Sequence, residues 1–217
     1  GNFTFSIPED ITVSPNSDGI ANFNNISIFE GNYLIKTFRV DSSQTNQRFI
    51  LPNQNIDTSS IRVEVIDDDG ITTYNSYTNI FDVDSESRLF LIQEVDDEKY
   101  QIMFGDGILG KKPANGATIR VSYIVTNGKD GNGASNFTFS GRLTYILGGV
   151  DVDITTNVSL LRVTQAAENG DSIESTDTIK YLAPRVYASQ YRAVTPNDYK
   201  SLIPFLYPNI DSVSAYG

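Results

Sequence analysis

The sequence predicts an α+β protein that is mainly β: one or more antiparallel β domains, then a short helical α+β segment truncated at the C-terminus. Three observations predict it. Apolar and polar residues alternate at period two through much of residues 1–165. Asp-Gly and Asn-Gly pairs punctuate the apolar runs. Helix-start signals gather only after residue 166.

The strands follow from the alternation. Ile61, Val63 and Val65 alternate with Arg62 and Glu64. Tyr100, Ile102 and Phe104 alternate with Gln101 and Met103. Ile119, Val121, Tyr123 and Val125 alternate with Arg120 and Ser122, and a further strand is expected at Phe38–Val40. Asp69-Gly70 reads as a hairpin turn, while Asn115-Gly116 and Asn127-Gly128 bracket the 117–126 strand. A sub-domain over 26–128 fits inside the β region. Asn2-Phe3-Thr4-Phe5-Ser6 returns as Asn136-Phe137-Thr138-Phe139-Ser140, which reads as two similar edge strands.

The second region, 166–217, is expected to be helix, helix, strand. Asp171 with Glu174 has capping-box spacing for a helix that Pro184 stops after Ala183. Thr195 is an N-cap, Pro196 suits the first helical position, and Asp198 complements the positive helix end. Tyr199, Leu202, Ile203 and Leu206 share a helical face up to Pro204, which ends or distorts the helix. A strand over 210–216 closes the sequence. With no initiator Met and with that abrupt end, the chain reads as a piece of a longer protein.

Composition narrows the function. The 217 residues include no cysteine and no histidine. Disulfides, thiolate nucleophiles, His-based triads and the usual zinc sites are therefore impossible within it. A net charge of −11 disfavours nucleic acid. It serves either solubility or attraction to a basic partner. No apolar run approaches a membrane span. The remaining catalytic options rest on carboxylates, Lys, Tyr or hydroxyls; paired carboxylates among the 27 acids make a glycan-acting enzyme one alternative. A Cys-free, acidic adhesin module is another.

Two motifs invite chemical readings. Gly105-Asp106-Gly107-Ile108-Leu109-Gly110-Lys111 has phosphate-loop spacing, but Lys112 stands where Ser or Thr should bind magnesium, and Pro113 and Gly116 forbid the helix that should follow. A tight irregular turn with positive-φ glycines is the better reading, with Asp106 bonded to the loop backbone. Asp67-Asp68-Asp69-Gly70 and Asp130-Gly131-Asn132-Gly133 resemble pieces of calcium loops but lack the full ligand series, so hairpin or solvated-loop roles are preferred. The 24 Phe and Tyr residues serve either the core and cross-strand pairs or an interface.

Several segments taken in order resemble the baseplate J-like family of contractile-tail phages, and within it the large wedge proteins of T4-type phages. They are Ile28-Phe29-Glu30-Gly31; Phe38-Arg39-Val40; Arg48-Phe49-Ile50-Leu51; Ile56-Asp57-Thr58-Ser59-Ser60-Ile61-Arg62-Val63; Phe104 to Gly110, with Pro113, Gly116 and the 117–126 strand; Gly128 to Gly133; Glu168 to Ser175; Ala183-Pro184; and Arg192 to Tyr199. At Glu168-Asn169-Gly170-Asp171 the family often has a Gly-Gly pair before the acid. The resemblance implies wedges joined in a six-fold ring around the tail hub, rearranging as the sheath contracts. It implies a virion protein assembled in the host cytoplasm, with another copy of itself (homodimer or ring) and neighbouring wedge proteins as partners. Nucleic acid, membrane and small-molecule substrate are not expected, nor is any cofactor or catalytic residue. The implied structural motif residues are Glu30, Gly31, Gly105, Asp106, Gly107, Gly110, Gly128, Gly170, Asp171, Arg192 and Tyr199. Arg192 and Tyr199 either pack across the helix junction or face a partner.

Overall fold

The computed structural model describes residues 2–44, 47–77, 83–160, 163–172, 175–207, 210 and 212–216. The chain divides into two compact units, 1–171 and 172–217.

The first unit is built on a seven-stranded sheet in the order β3-β9-β5-β6-β7-β8-β4. Its strands are β3 (Asn32–Arg39), β4 (Phe49–Ile50), β5 (Ile56–Asp67), β6 (Gly70–Ser76), β7 (Leu89–Val95), β8 (Lys99–Phe104) and β9 (Thr118–Val125). Two small ribbons accompany it: β1 (Phe5–Ser6) with β2 (Phe29–Glu30), and β10 (Thr144–Leu147) with β11 (Val150–Asp153). The mainly β, α+β class expected from the sequence is the class observed.

Alternation explains the core. In β9, Ile119, Val121 and Tyr123 are each at most 1% exposed. Val65 and Val63 on β5 lie opposite Ile119 and Val121, and Ile61, also buried, sits where the register breaks. Leu51, Phe90 and Ile102 complete the apolar layer, and Phe49 and Tyr74 meet Phe104 edge-on. On the other face Glu64 stands opposite Arg120 and pairs with it at 2.6 Å. Both are partly exposed, so this cross-strand pair contributes about 1 kcal/mol or less.

Residues 57–60 produce the break in β5. Pairing jumps from Asp57 opposite Ile124 to Arg62 opposite Ser122. The Ser60 hydroxyl fills the gap, donating to the Asp57 carbonyl at 2.6 Å and accepting from the Ile124 N–H at 2.9 Å.

The sheet is mixed, where an antiparallel one was expected. β6 and β7 run parallel, Asn75 opposite Leu89. Strands joined in parallel need a long connection, and twelve residues separate Ser76 from Leu89, of which 78–82 lie outside the described residues. The hairpin at Asp69-Gly70 exists, with Asp68 and Asp69 as the turn and Gly70 already opposite Asp67. The echoed pentapeptides do not form a pair of edge strands. Phe5 and Ser6 form β1, whereas 136–140 forms none, and Phe137 instead packs edge-on against Phe5 with centroids 4.9 Å apart.

The second unit holds α1 (Thr176–Ser189) and α2 (Pro196–Leu206). α1 is capped by Ser175, which accepts from the Thr178 N–H, so the cap expected at Asp171 is displaced; Glu174 lies outside the described residues. Pro184 does not stop α1. Its ring is exposed, so water can satisfy the backbone carbonyl that loses its partner, and the helix continues to a left-handed cap at Gln190. α2 starts as expected: Thr195 and Asp198 form a reciprocal capping box with Pro196 at the first position. It passes Pro204 and ends at Leu206. Val186 and Leu202 are buried between the helices, and Tyr191 meets Phe205 at 6.0 Å. The strand expected over 210–216 is not formed at Ile210 or at 212–216. A strand is stable only when paired, and this unit has no other described strand.

Candidate functional site

The motif residues of the first unit gather at two hydrogen-bonded nodes. The first forms around Glu30 at the end of β2. Its carboxylate accepts from the Thr126 hydroxyl (2.7 Å), the Asn127 N–H (2.8 Å) and the Asn127 side-chain amide (2.6 Å). Charge-assisted bonds of this kind are about twice as strong as neutral ones. Next to it the Gly31 N–H bonds the Thr4 carbonyl, and the Ser6 hydroxyl bonds the Gly31 carbonyl. Gly128 opens a 3₁₀ turn, Gly128–Gly131, which packs on the Glu30 side chain. From that turn Asn132 makes two reciprocal bonds to the Gly170 backbone, at 2.8 and 2.9 Å. Gly133 and Ala134 bond Ala167. Four stretches far apart in sequence, 4–6, 29–31, 126–134 and 167–170, are thus fastened together. Asp171 follows Gly170 at the end of this unit.

The second node is the 105–111 loop. One oxygen of Asp106 accepts from both the Ile108 and Leu109 N–H groups, at 2.8 and 2.9 Å. The Gly107 N–H bonds the Gly110 carbonyl, the Gly110 N–H bonds the Asp84 carbonyl, and the Lys111 N–H bonds the Ser87 carbonyl. Five successive N–H groups, 107 to 111, are therefore spent inside the protein. A phosphate cradle needs such groups free and aimed at the ligand, so this loop is not built for one. It instead carries two exposed aliphatic side chains at its tip, Ile108 at 76% and Leu109 at 56%. Asp84, held by the Ser87 hydroxyl and the Glu86 N–H, supports it from below.

The remaining motif residues lie in the second unit. Arg192 donates to the Gln190 side chain at 3.1 Å, and exposed Tyr199 occupies the first turn of α2. The contact that closes this junction is Tyr191 on Phe205. A groove of about 520 Å³ lies beside it, lined by Ile179, Leu182, Val186, Tyr187, Tyr191 and Phe205 among others. Its lining carries no acid or base other than tyrosine.

Thr126, Ser6, Asp84 and Ser87 were missed as partners of these nodes. Hydroxyls and an aspartate among many others gave no local signal. Among the described residues no three acids converge in a way that holds a metal ion, and no helix is long and apolar enough to cross a membrane.

Four aspartates are held below the ordinary carboxylate range by bonds to their ionised forms: Asp41 by the Ser43 hydroxyl, Asp84 by the Ser87 hydroxyl, Asp106 by the Leu109 N–H, and Asp198 by the Thr195 N–H. Depressed folded values add stability above the unfolded value near 4, lost as pH falls through the folded values. Burial pushes the Tyr74, Tyr100 and Tyr123 phenols up. Their contribution is complete below about pH 10 and lost as pH rises through the folded values. The urea midpoint is expected to be level from about pH 5 to 9 and to drop on both sides. A midpoint that rises on acidification below pH 4 would contradict these assignments.

Asp106→Ala removes the acceptor for two N–H groups at an exposed site. Hydrogen exchange at Ile108 and Leu109 should accelerate by roughly an order of magnitude, with strands β5 and β9 unaffected. Unchanged exchange would show that the loop does not depend on this carboxylate.

Glycines, acids bonded to backbone N–H groups and spent loop donors make an arrangement in which side chains fix loops. The particular likeness is to the baseplate wedge protein gp6 of Enterobacteria phage T4, 28% identical over 170 residues that cover 71% of this chain and 25% of that protein. The chain thus spans about a quarter of the relative's length. No protein-family model matches it.

Proposed function

We propose that this chain is a structural module of a contractile phage tail baseplate, part of a wedge that packs beside its own copies and other wedge proteins around the hub. The observation that carries this reading is the likeness to a baseplate wedge protein over most of the chain. The geometry supports it: Glu30, Asp106 and the glycines around them bind the chain's own backbone and side chains. The module holds wedges together and moves as a unit when the sheath contracts, without a cofactor or a catalytic step. Its place is the virion tail, after assembly in the host cytoplasm.

Mass spectrometry of gradient-purified virions should find the chain at a stoichiometry fixed by the six-fold baseplate, and a particle map should place it in the wedge. Its absence from purified virions would refute the reading. So would hydrolysis of a cell-surface glycan by the purified chain, which would favour a carboxylate enzyme instead.

A further inference from the structure

Two open features of the first unit complement one another. The first is the outer edge of β3. An exposed sheet edge recruits other strands unless it is short, bulged, interrupted by proline or otherwise protected. The opposite edge, β4, is only two residues long. β3 runs eight residues in unbroken register against β9 and contains no proline.

Its bonding pattern can be read from its ends. The Val40 N–H bonds the Ala117 carbonyl and the Gly116 N–H bonds the Val40 carbonyl, so even-numbered residues face β9 and odd-numbered ones face outward. The outward groups are met at each end. The Ser6 hydroxyl serves the Gly31 carbonyl and the Tyr33 N–H, and the Gln47 amide serves the Arg39 carbonyl. Between them, no described residue bonds the outward groups of Ile35 and Thr37. Ile35 is 57% and Leu34 36% exposed. Lys36 and Arg39 make this edge basic in a chain of net charge −11.

The second feature is the β10–β11 hairpin, turned by Gly148 and Gly149, both at positive φ. Tyr145 stands opposite Val152 and Leu147 opposite Val150, so these four share one face. Tyr145, Leu147 and Val150 are 47%, 62% and 65% exposed. Asp151 and Asp153 lie on the other face. The Ile154 N–H bonds the Leu143 carbonyl, so residues 150, 152 and 154 bond inward and the backbone groups of Asp151 and Asp153 point outward. An isolated two-stranded hairpin is marginal in water, and an apolar face gains stability only when covered.

We propose that β11 of one copy adds as a further antiparallel strand to the β3 edge of a second copy. This rests on the self-association contained in the proposed function and names the surfaces that make it. Thr37 pairs with Asp151 and Ile35 with Asp153, satisfying the open backbone groups of both strands. That register sets Val152 opposite Lys36, whose aliphatic stem covers it while the ammonium group reaches solvent. The hairpin's apolar face then continues the face of β3 that carries Leu34 and Phe38. Asp151 lies diagonal to Arg39, within reach of a long side chain. Asp153 already pairs with Arg142 at 2.7 Å. Pairing β3 with a second β3 through the same open groups would set Lys36 opposite Lys36, which is unfavourable. The contact joins two different surfaces, so it propagates head to tail and closes only as a ring. It buries well under the ~1,600 Å² of a standard interface and is therefore weak in free solution.

The chain has no cysteine, which makes a cross-linking test clean. A Lys36→Cys chain is mixed with an equal amount of a Val152→Cys chain in a glutathione redox buffer. The mixed disulfide should exceed either homodimer roughly five-fold or more, where chance pairing gives about two-fold. Adding Thr37→Pro to the Lys36→Cys chain removes an outward N–H without touching the β9 ladder and should return the yield to chance. Circular dichroism of each variant confirms the fold. Mixed disulfide at the chance ratio, or an excess that survives Thr37→Pro, overturns the proposal. If the chain is present in virions but cross-links by chance, this contact fails and the baseplate reading stands.

Discussion

Gly31→Ala is expected to lower the stability of the β unit by about 3–5 kcal/mol, among the largest effects a single methyl group produces. Gly31 sits between β2 and β3 with φ at +125°, a conformation that side chains rarely adopt. A Cβ there would lie 2.5 Å from both the Ile124 side chain and the Val125 carbonyl oxygen. Ile124 is 1% exposed and cannot swing away into solvent. Relief requires β2 to move off β9, which also pulls Glu30 from Thr126 and Asn127. Urea unfolding followed by tyrosine fluorescence measures the loss. A change below about 0.5 kcal/mol, the range of ordinary surface substitutions, would show that the node yields easily.

Gly105→Ala should cost about 2–4 kcal/mol for a different reason. Its φ is unexceptional, but the backbones of Leu109 and Gly110 close directly over it, leaving a Cβ 2.5 Å or less from the Leu109 and Gly110 carbonyl oxygens. The Gly110 peptide must swing out, breaking its bonds to Gly107 and Asp84 together. The loss should appear in the urea midpoint and in faster exchange at Gly107, Gly110 and Lys111. Normal stability with a closed loop would show that the loop can make room for a Cβ at Gly105.

The parts readable in the sequence are those governed by near neighbours. β5, β8 and β9 alternate because one face is buried, and Thr195, Pro196 and Asp198 write the start of α2 within four residues. β3 escaped except at Phe38–Val40, because an edge strand exposed on both faces has no reason to alternate. The β10–β11 hairpin carries a Gly-Gly turn but only four residues in each strand. Pro184 misled because an exposed proline inside a helix costs stability without breaking it once tertiary contacts hold both sides. At the nodes, an aspartate serving N–H groups two and three residues ahead is local chemistry. Glu30 is not: its partners lie nearly a hundred residues away, and no pattern near Glu30 singles out Thr126 or Asn127.

The seating of β9 between β3 and β5 governs how the polypeptide must mature. On the ribosome, β3 and β5 emerge long before the strand that joins them, and each waits with an unpaired edge. The sheet cannot close until residue 125 has cleared the exit tunnel, a delay of several seconds at about 5–20 residues per second. During that interval the nascent protein is at its most vulnerable to aggregation and to capture by chaperones.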